Sequence, residues 1–459
     1  MADWLRRTDW PDNGDVAVPA PPGPAEMEAR LAALRAAMAA RGLDVLVVYG
    51  DREHAANIRW ATGFDPRFEE ALLILRPDDA VLVAGNECLP YTAIAPLVQA
   101  GRMRVRHCPS LSLVSQPRAG DRLDSLFAAE VPAGSRIGTA GWKYFLPGEL
   151  ADPDHALEIP AVIADLLRAI GREVVNATAI LMDPGCGLRS TVAIDDIPRL
   201  EFANRMAAAA LTRMVFAFRE GMTDFACVEA ARLGGLPLGC HVTFATGAMA
   251  GQGLSGPTGQ VLRRGSPISF NICHWGANIC RAGWLAAGPG DLPPAARDYL
   301  DAFAGPYMRA MSVWCSMMRP GVAGGAVAAA MKAALPDAVF GVTLNPGHLI
   351  GDDEWISSPV FAGSDLPLRP GMAMQCDVIP SHPDYGSTRM EDGYVILDAP
   401  GRAALAARHP DTWRRCRARQ DFMRATVGLD VPDDLLPLAD TCGVVAPFLL
   451  SPRDLIVLR

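Results

Sequence analysis

Apolar residues at Met27, Leu31, Leu34 and Met38 recur at three- and four-residue spacing in PAEMEARLAALRAAMAARG, and predict a helix from Pro24 that stops at Gly42. The run LDVLVVYG that follows reads as a buried strand. ALLIL and AVLVAG read as two more, joined in a hairpin by the Pro and Asp turn RPDDA. Strand and helix keep alternating through RIGTAG, AVIADLLRAIGR and EVVNAT, which predicts an α/β domain. Pro and Gly punctuation in ILMDPGCGLRSTVAID marks the end of that domain. Ahead of the first helix, a stretch rich in Pro, Gly and Asp reads as an arm laid on a partner surface or left unfolded. The expected division is an arm over 1–23, an α/β domain over 24–190, a second domain over 191–400 and a helical extension with a tail over 401–459.

The second domain repeats itself. FREGMTDFACVEAA, with Gly221, is echoed by MRPGVAGGAVAAAM, with Gly321, and each is followed by a β unit opened by a basic residue and glycine. Those units are RRGSPISFNIC at Gly265 and LRPGMAMQCDV at Gly371, which put Asn271 and Asp377 at the same offset from their glycines. Each turns back into a second strand, ANICRAGWL in one and STRMEDGYVI in the other. Two αβ halves of this size pack about a pseudo-two-fold with their hairpins facing across a cleft, so Asn271, Asn278, Asp377 and Glu391 are expected to converge there with His348.

The cleft residues are concentrated between positions 345 and 394, where NPGHLIGDDEW, PLRPGMAMQCDVIP and STRMEDGYV bring His348, Asp352, Asp353, Asp377, Arg389 and Glu391 together. One imidazole among several carboxylates suits a metal site, an acid/base site or a pocket for a cation. Asp377 and Glu391 fall on strands, where a buried carboxylate needs a partner, and Arg389, Arg281 or a bound cation are the natural ones. His274, Cys273 and Cys280 lie on the first hairpin, and Cys280 beside Arg281 is a thiol that His348 would have to activate. GQGLSG, residues 251–256, matches a nucleotide-binding GxGxxG, but Pro257, Thr258 and Gly259 continue the loop and no helix starts there. It reads instead as a rim of the cleft, with Ser255 in reach of substrate.

Composition narrows the partners. Against 51 acidic side chains there are 42 basic ones, a net charge of −9, which argues against nucleic acid. Eleven cysteines without a CxxC pair are the usage of a reducing cytoplasm. The start lacks the apolar core of a signal peptide and no apolar run approaches membrane-spanning length, so a soluble cytoplasmic protein is expected. The arginine-rich RRCRARQDFMRATVGL after residue 400 reads as a solvated helix, with an anion-binding face as the alternative.

On GHLIG, LRPGM and RMEDG, the second domain resembles the pita-bread fold of methionine aminopeptidase, aminopeptidase P, prolidase and creatinase. The first, including NIRWATGFDPRFEEALLIL, resembles the N-terminal domain of aminopeptidase P and creatinase. The resemblance implies a creatinase-like α/β N-terminal domain before an α+β pita-bread domain with an internal pseudo-two-fold repeat, and a homodimer. In the peptidases of this family two divalent metals are held by two aspartates, a histidine and two glutamates. Carried across, these fall on Asn271, Asn278, His348, Asp377 and Glu391, with Arg281 keeping the arginine that follows the second aspartate.

Both metal aspartates are therefore amides here, and a neutral amide oxygen is a poor ligand for a hard cation. A histidine common before the first β unit is replaced by LSGPTG, with Ser255 two residues before Pro257, and a second family histidine falls on or near Trp355. Creatinase is similar in using an asparagine at the first metal position and in hydrolysing a C–N bond without metal, and ectoine hydrolase is a second precedent for such hydrolysis. The dimethylsulfoniopropionate lyase of the same fold has an Asp-Glu-Trp like Asp353, Glu354 and Trp355.

The expected function is a metal-independent hydrolase of a C–N bond in a small polar or cationic molecule. His348 would serve as acid/base, and Asp377 and Glu391 would bind and orient substrate beside it. Asn271, Asn278, Arg281, Ser255, Trp355 and Arg389 would complete the pocket. No cofactor is expected, or at most one divalent ion on His348, Asp377 and Glu391. The alternatives are a regulatory, non-catalytic descendant of the peptidases, a lyase and a single-metal enzyme.

Overall fold

The computed structural model describes residues 4–251 and 253–459, which form two compact units. The first is made of residues 4–19 and 191–459, the second of 20–190. Among the described residues no helix is long and apolar enough to cross a membrane.

The chain enters through strand β1 (Leu5–Arg7). The following unit, 20–190, has the predicted helix at Pro24–Ala40, whose buried side chains are Met27, Leu31, Leu34 and Met38. Its six strands are β2 (Val45–Gly50), β3 (Ala71–Leu75), β4 (Ala80–Ala84), β5 (Arg104–His107), β6 (Arg136–Ala140) and β7 (Glu173–Asn176). They form one sheet in the order β5-β4-β3-β2-β6-β7. The β2/β3 and β3/β4 pairs are antiparallel, and β2/β6, β4/β5 and β6/β7 are parallel. Every residue of β2, β3 and β4 is buried, which is why these strands read as unbroken apolar runs. The chain leaves this unit at Ser190.

The other unit contains the repeat, down to single hydrogen bonds. Helices Ile197–Ala217 and Asp224–Ala231 belong to one half, and Gly305–Met317 and Gly324–Ala334 to the other. Between the helices of each pair, Gly221 donates its N–H to Leu262 O and Gly321 to Leu368 O, both at 2.9 Å. The glycines share a φ of 86°. Strands β8 (Phe244–Thr246), β9 (Pro267–His274) and β10 (Ala277–Trp284) come from the first half. From the second come β11 (His348–Leu349), β12 (Ala373–Gln375), β13 (Arg389–Glu391) and β14 (Gly393–Ile396).

The halves exchange a strand: one sheet runs β13-β10-β9-β8, and the other runs β11-β12-β14 and ends on β15 (Leu435–Pro437). Asp392, between β13 and β14, is the crossing point, held by Arg281 at 2.7 Å and the Thr441 hydroxyl at 2.6 Å. The side chains between the two sheets form the candidate site.

Both ends of the chain are integral to this unit, contrary to the expected arm and extension. Strand β1 pairs antiparallel with β16 (Asp454–Ile456), Trp4 is buried with its indole N–H on Asp301 at 2.7 Å, and Trp10 donates to Pro452 O at 2.7 Å. Apolar Trp4, Leu5 and Trp10 outweigh the Pro and Gly around them; residues 1–3 of the expected arm lie outside the described residues. After residue 400, β15 extends the second sheet, and the arginine-rich helix Pro410–Asp421 is neither solvated throughout nor an anion face. Arg415 grips buried Glu201 at 2.6 and 2.7 Å, and Arg419 bridges Glu201 at 2.8 Å and Asp440 at 2.7 Å.

Candidate active site

Strand register decides which side chains meet. Successive residues of a strand point to opposite faces, so the pairings Cys280↔Asn271, Asn278↔Cys273, Cys280↔Glu391 and Ala282↔Arg389 put Asn271, Cys273, Asn278, Cys280, Arg389 and Glu391 on one face. His348 is paired with Gln375 on the neighbouring sheet, and Asp377 lies two residues beyond Gln375. His348, Asp377 and Glu391 each offer a ligand atom within 4.8 Å of the other two.

His348 is fully buried. Its Nδ1 lies 3.2 Å from Leu349 O, an acceptor, so in the neutral ring Nδ1 carries the proton and Nε2 presents its lone pair. Among the described residues, Nε2 has no hydrogen-bond partner, nor has Asp377 Oδ1. The nearest carboxylates to Nε2 are Glu354 at 3.5 Å and Asp377 at 3.8 Å. Trp355 stacks on the imidazole, with ring centroids 4.0 Å apart and 19° between planes. Burial raises the pKa of Asp377, and it raises that of Glu391 well above the usual range with help from the charges of Asp377 and Glu354. Those two acids resist holding two negative charges at once.

The amides form a chain of fixed polarity. Thr243 N–H donates to Asn271 Oδ1 at 2.7 Å, Asn271 Nδ2 to Asn278 Oδ1 at 3.1 Å, and Asn278 Nδ2 to Glu391 at 2.9 Å and Glu354 at 3.1 Å. A backbone N–H can only donate, so the Thr243 end dictates which way each amide points. Each amide oxygen accepts a hydrogen bond, and the Asn278 nitrogen faces the acids. The place where the family resemblance puts two metal aspartates is occupied by these two amides.

Other expected site residues fare differently. Arg281 is on the opposite face: its five N–H groups are spent on Val444 O, Cys280 O, Glu391 O, Thr441 O and Asp392, so it holds the strand crossing and has no donor left for substrate. The alternation of β10 is the reason, since Asn278 and Cys280 take the pocket face. Cys280 is fully buried with its pKa pushed well up by desolvation and Glu391, so it is no thiolate for His348 to activate. His274 alternates away from Asn271 and Cys273 and is buried on the other face.

Arg389 is buried on the pocket side and reaches the rim loop, donating to Ser387 Oγ at 3.2 Å and Gly251 O at 3.1 Å. Gly253 leaves it room: a Cβ there would lie 2.4 Å from the guanidinium. Ser255 is on the same loop with its carbonyl bonded to Phe244 N–H, and none of the hydrogen bonds that tie the cluster together involves it. Gln252 of that loop lies outside the described residues.

Sequence reasoning missed Thr243 and the central position of Glu354. The DDEW that follows His348 was the signal for Glu354; Thr243 acts through its backbone and leaves none.

Residues 30–137 match the family profile of the Creatinase/Prolidase N-terminal domain. Three solved structures match over more of the chain. The chain is similar to the dipeptidase PepE of Mycobacterium ulcerans at 22% identity and a TM-score of 0.62, covering 81% of this chain and 94% of that one. To the Xaa-Pro dipeptidase of Bacillus anthracis the figures are 14%, 0.62, 82% and 96%. To the Pseudomonas aeruginosa aminopeptidase PepP they are 16%, 0.58, 83% and 94%.

The chain has the pita-bread fold behind a creatinase/prolidase N-terminal domain.

At these identities the likeness establishes the fold. No curated protein matches the chain by sequence. Within the pita-bread unit, the exchange of β13 delivers Glu391 from one sheet to His348 and Asp377 on the other.

Proposed function

We propose that the protein is a hydrolase of a C–N bond in a small polar or cationic molecule, and that it works without a pair of metal ions. The observation that carries this reading is the amide chain from Thr243 to Glu391, in which each asparagine oxygen accepts a hydrogen bond and the Asn278 nitrogen donates to Glu391 and Glu354. Nε2 of His348 is free to take a proton from water or return it to a leaving amine. Asp377, Glu391 and Glu354 bind the cationic part of the substrate through charge-assisted hydrogen bonds, and Trp355 holds the imidazole in plane. The solved pita-bread proteins named as dipeptidases and an aminopeptidase are consistent with C–N bond hydrolysis.

A second reading, one divalent ion on His348, Asp377 and Glu391, is favoured by how close these buried groups lie. Such an ion would neutralise the two acids and act as a Lewis acid toward a bound carbonyl.

Metal analysis of the purified protein tests both, combined with thermal-shift screening of small ammonium and guanidinium compounds in chelator. Stabilisation in chelator that is lost in His348→Ala is the expected result. Two tightly held ions per chain would overturn the proposal. One ion whose removal abolishes every ligand shift would select the single-metal reading.

A further inference from the structure

The exchange of β13 opens a seam beside the site, and a side chain closes it. β13 runs along β10 in the register Cys280↔Glu391 and Ala282↔Arg389. Two residues further on, that register would bring Gly393 opposite Asn278, but by then the chain has crossed to the other sheet, where Gly393 pairs with Gln375 of β12. Gln375 spans the gap instead: its Nε2 donates to Asn278 O at 2.6 Å. Gln375 also pairs with His348 in the register of β11 and β12, so one residue is tied both to the strand of His348 and to the backbone of Asn278. It is fully buried, and among the described residues the only hydrogen bond of its side chain is this one, with Oε1 left bare. A carbonyl can only accept, so a turned amide would set oxygen against oxygen and the side chain has one way to lie.

We propose that Gln375 is a positioning residue of this site, which fixes where Asn278, and through it Glu354, stands relative to His348. The proposal deepens the hydrolase reading and rests on it for the use to which that geometry is put. Asn278 Nδ2 reaches Glu391 at 2.9 Å and Glu354 at 3.1 Å, and Glu354 stands 3.5 Å from His348 Nε2. Asn278 belongs to one sheet and His348 to the other, and the Gln375 side chain is a direct bond between those sheets at this point. Glu391 is placed by its own strand, and Asp392 beside it by Arg281 and Thr441. Glu354 is partly exposed and lies in a loop, so its bond to Asn278 decides whether it faces the imidazole or water. Without the donor of Gln375, β10 is free to draw back at Asn278 and the Glu354 carboxylate to turn outward. Gln375 acts only through these neighbours.

The test uses the full-length protein in chelator. A double-mutant cycle of Asn278→Ala and Glu354→Ala, read by urea unfolding, measures how strongly the two side chains are coupled. It is run in the wild-type background and again with Gln375→Met, which keeps the length of the side chain and removes the donor. The expected result is a clear coupling in the wild type that is lost with Gln375→Met. A side chain that only fills the core would lower the stability of all four proteins alike and leave the coupling in place, and that result would overturn the proposal. No coupling in the wild-type background would overturn it as well, without any Gln375 variant having to fold. Calorimetric titration with methylguanidinium is the second readout: Gln375→Met should weaken binding about tenfold, the worth of one hydrogen bond, and unchanged binding would count as refutation. If the wild type ignores methylguanidinium yet its coupling disappears with Gln375→Met, the positioning role is supported and the hydrolase reading loses ground.

Discussion

Asn278→Asp restores one of the acids that the resemblance to metallopeptidases calls for, and its consequence follows from the amide chain. Asn278 Nδ2 is 2.9 Å from Glu391 and 3.1 Å from Glu354. A carboxylate in its place faces a like charge at that range, a repulsion costing roughly 5 kcal/mol at an effective dielectric near 20. Protonation caps the penalty, since holding an ordinary aspartic acid neutral at pH 7 costs about 4 kcal/mol. Loss of the charged hydrogen bonds sets a floor of about 2 kcal/mol. The expected loss in urea unfolding with chelator is therefore about 2–4 kcal/mol. A divalent cation at a hundred times its dissociation constant should give back about 2.7 kcal/mol in the variant, and less in the wild type. A variant as stable as the wild type in chelator, or a wild type that gains more from the cation than the variant does, would refute the argument that hydrogen-bond donors have replaced metal ligands.

Glu201→Ala strands the guanidinium groups of Arg415 and Arg419 in a buried place, and a loss of about 3–5 kcal/mol is expected in urea unfolding. Burial, only partly offset by the backbone of Pro237 and Leu236, holds the His274 imidazole below its ordinary pKa. The unfolded chain thus takes up a proton that the folded one refuses. Stability should be full above about pH 6.5 and fall below it, by up to roughly 1.4 kcal/mol per pH unit, until the folded ring is itself protonated. His274→Leu should flatten that slope in unfolding measured from pH 7.5 down to 5. Buried Asp224 accepts the backbone N–H groups of Thr258, Gly259 and Gln260 at 2.8, 2.8 and 3.2 Å. Asp224→Ala should speed amide hydrogen exchange at 258–260 ahead of the strands; unchanged exchange there would mean the loop is held by something else.

The repeat was legible because it is written in glycines with left-handed backbone and in turns that reuse the same spacing, as Gly221 and Gly321 show. Asp377 was legible for the same reason, since it stands at the offset from Gly371 that Asn271 has from Gly265, whereas His348 and Glu391 were picked out by GHLIG and RMEDG. The exchange of β13 between sheets was not. RMEDGYVI reads as one strand, and the bonds from Arg281 and Thr441 to Asp392 mark where it breaks in two. The position of Arg281 turned on strand parity, where a shift of one residue reverses the face. Glu354 comes from a loop, where no periodicity announces a direction. The docked N-terminal segment was misread because its Pro and Gly content hid three apolar anchors.

Strand β1 finds its partner only at residues 454–456, so during synthesis Leu5–Arg7 wait until those residues have left the ribosome. The unit over 20–190 is complete long before that and can fold while the other is still being made. A nascent chain stopped before residue 454 would carry an unzipped edge at Leu5–Arg7.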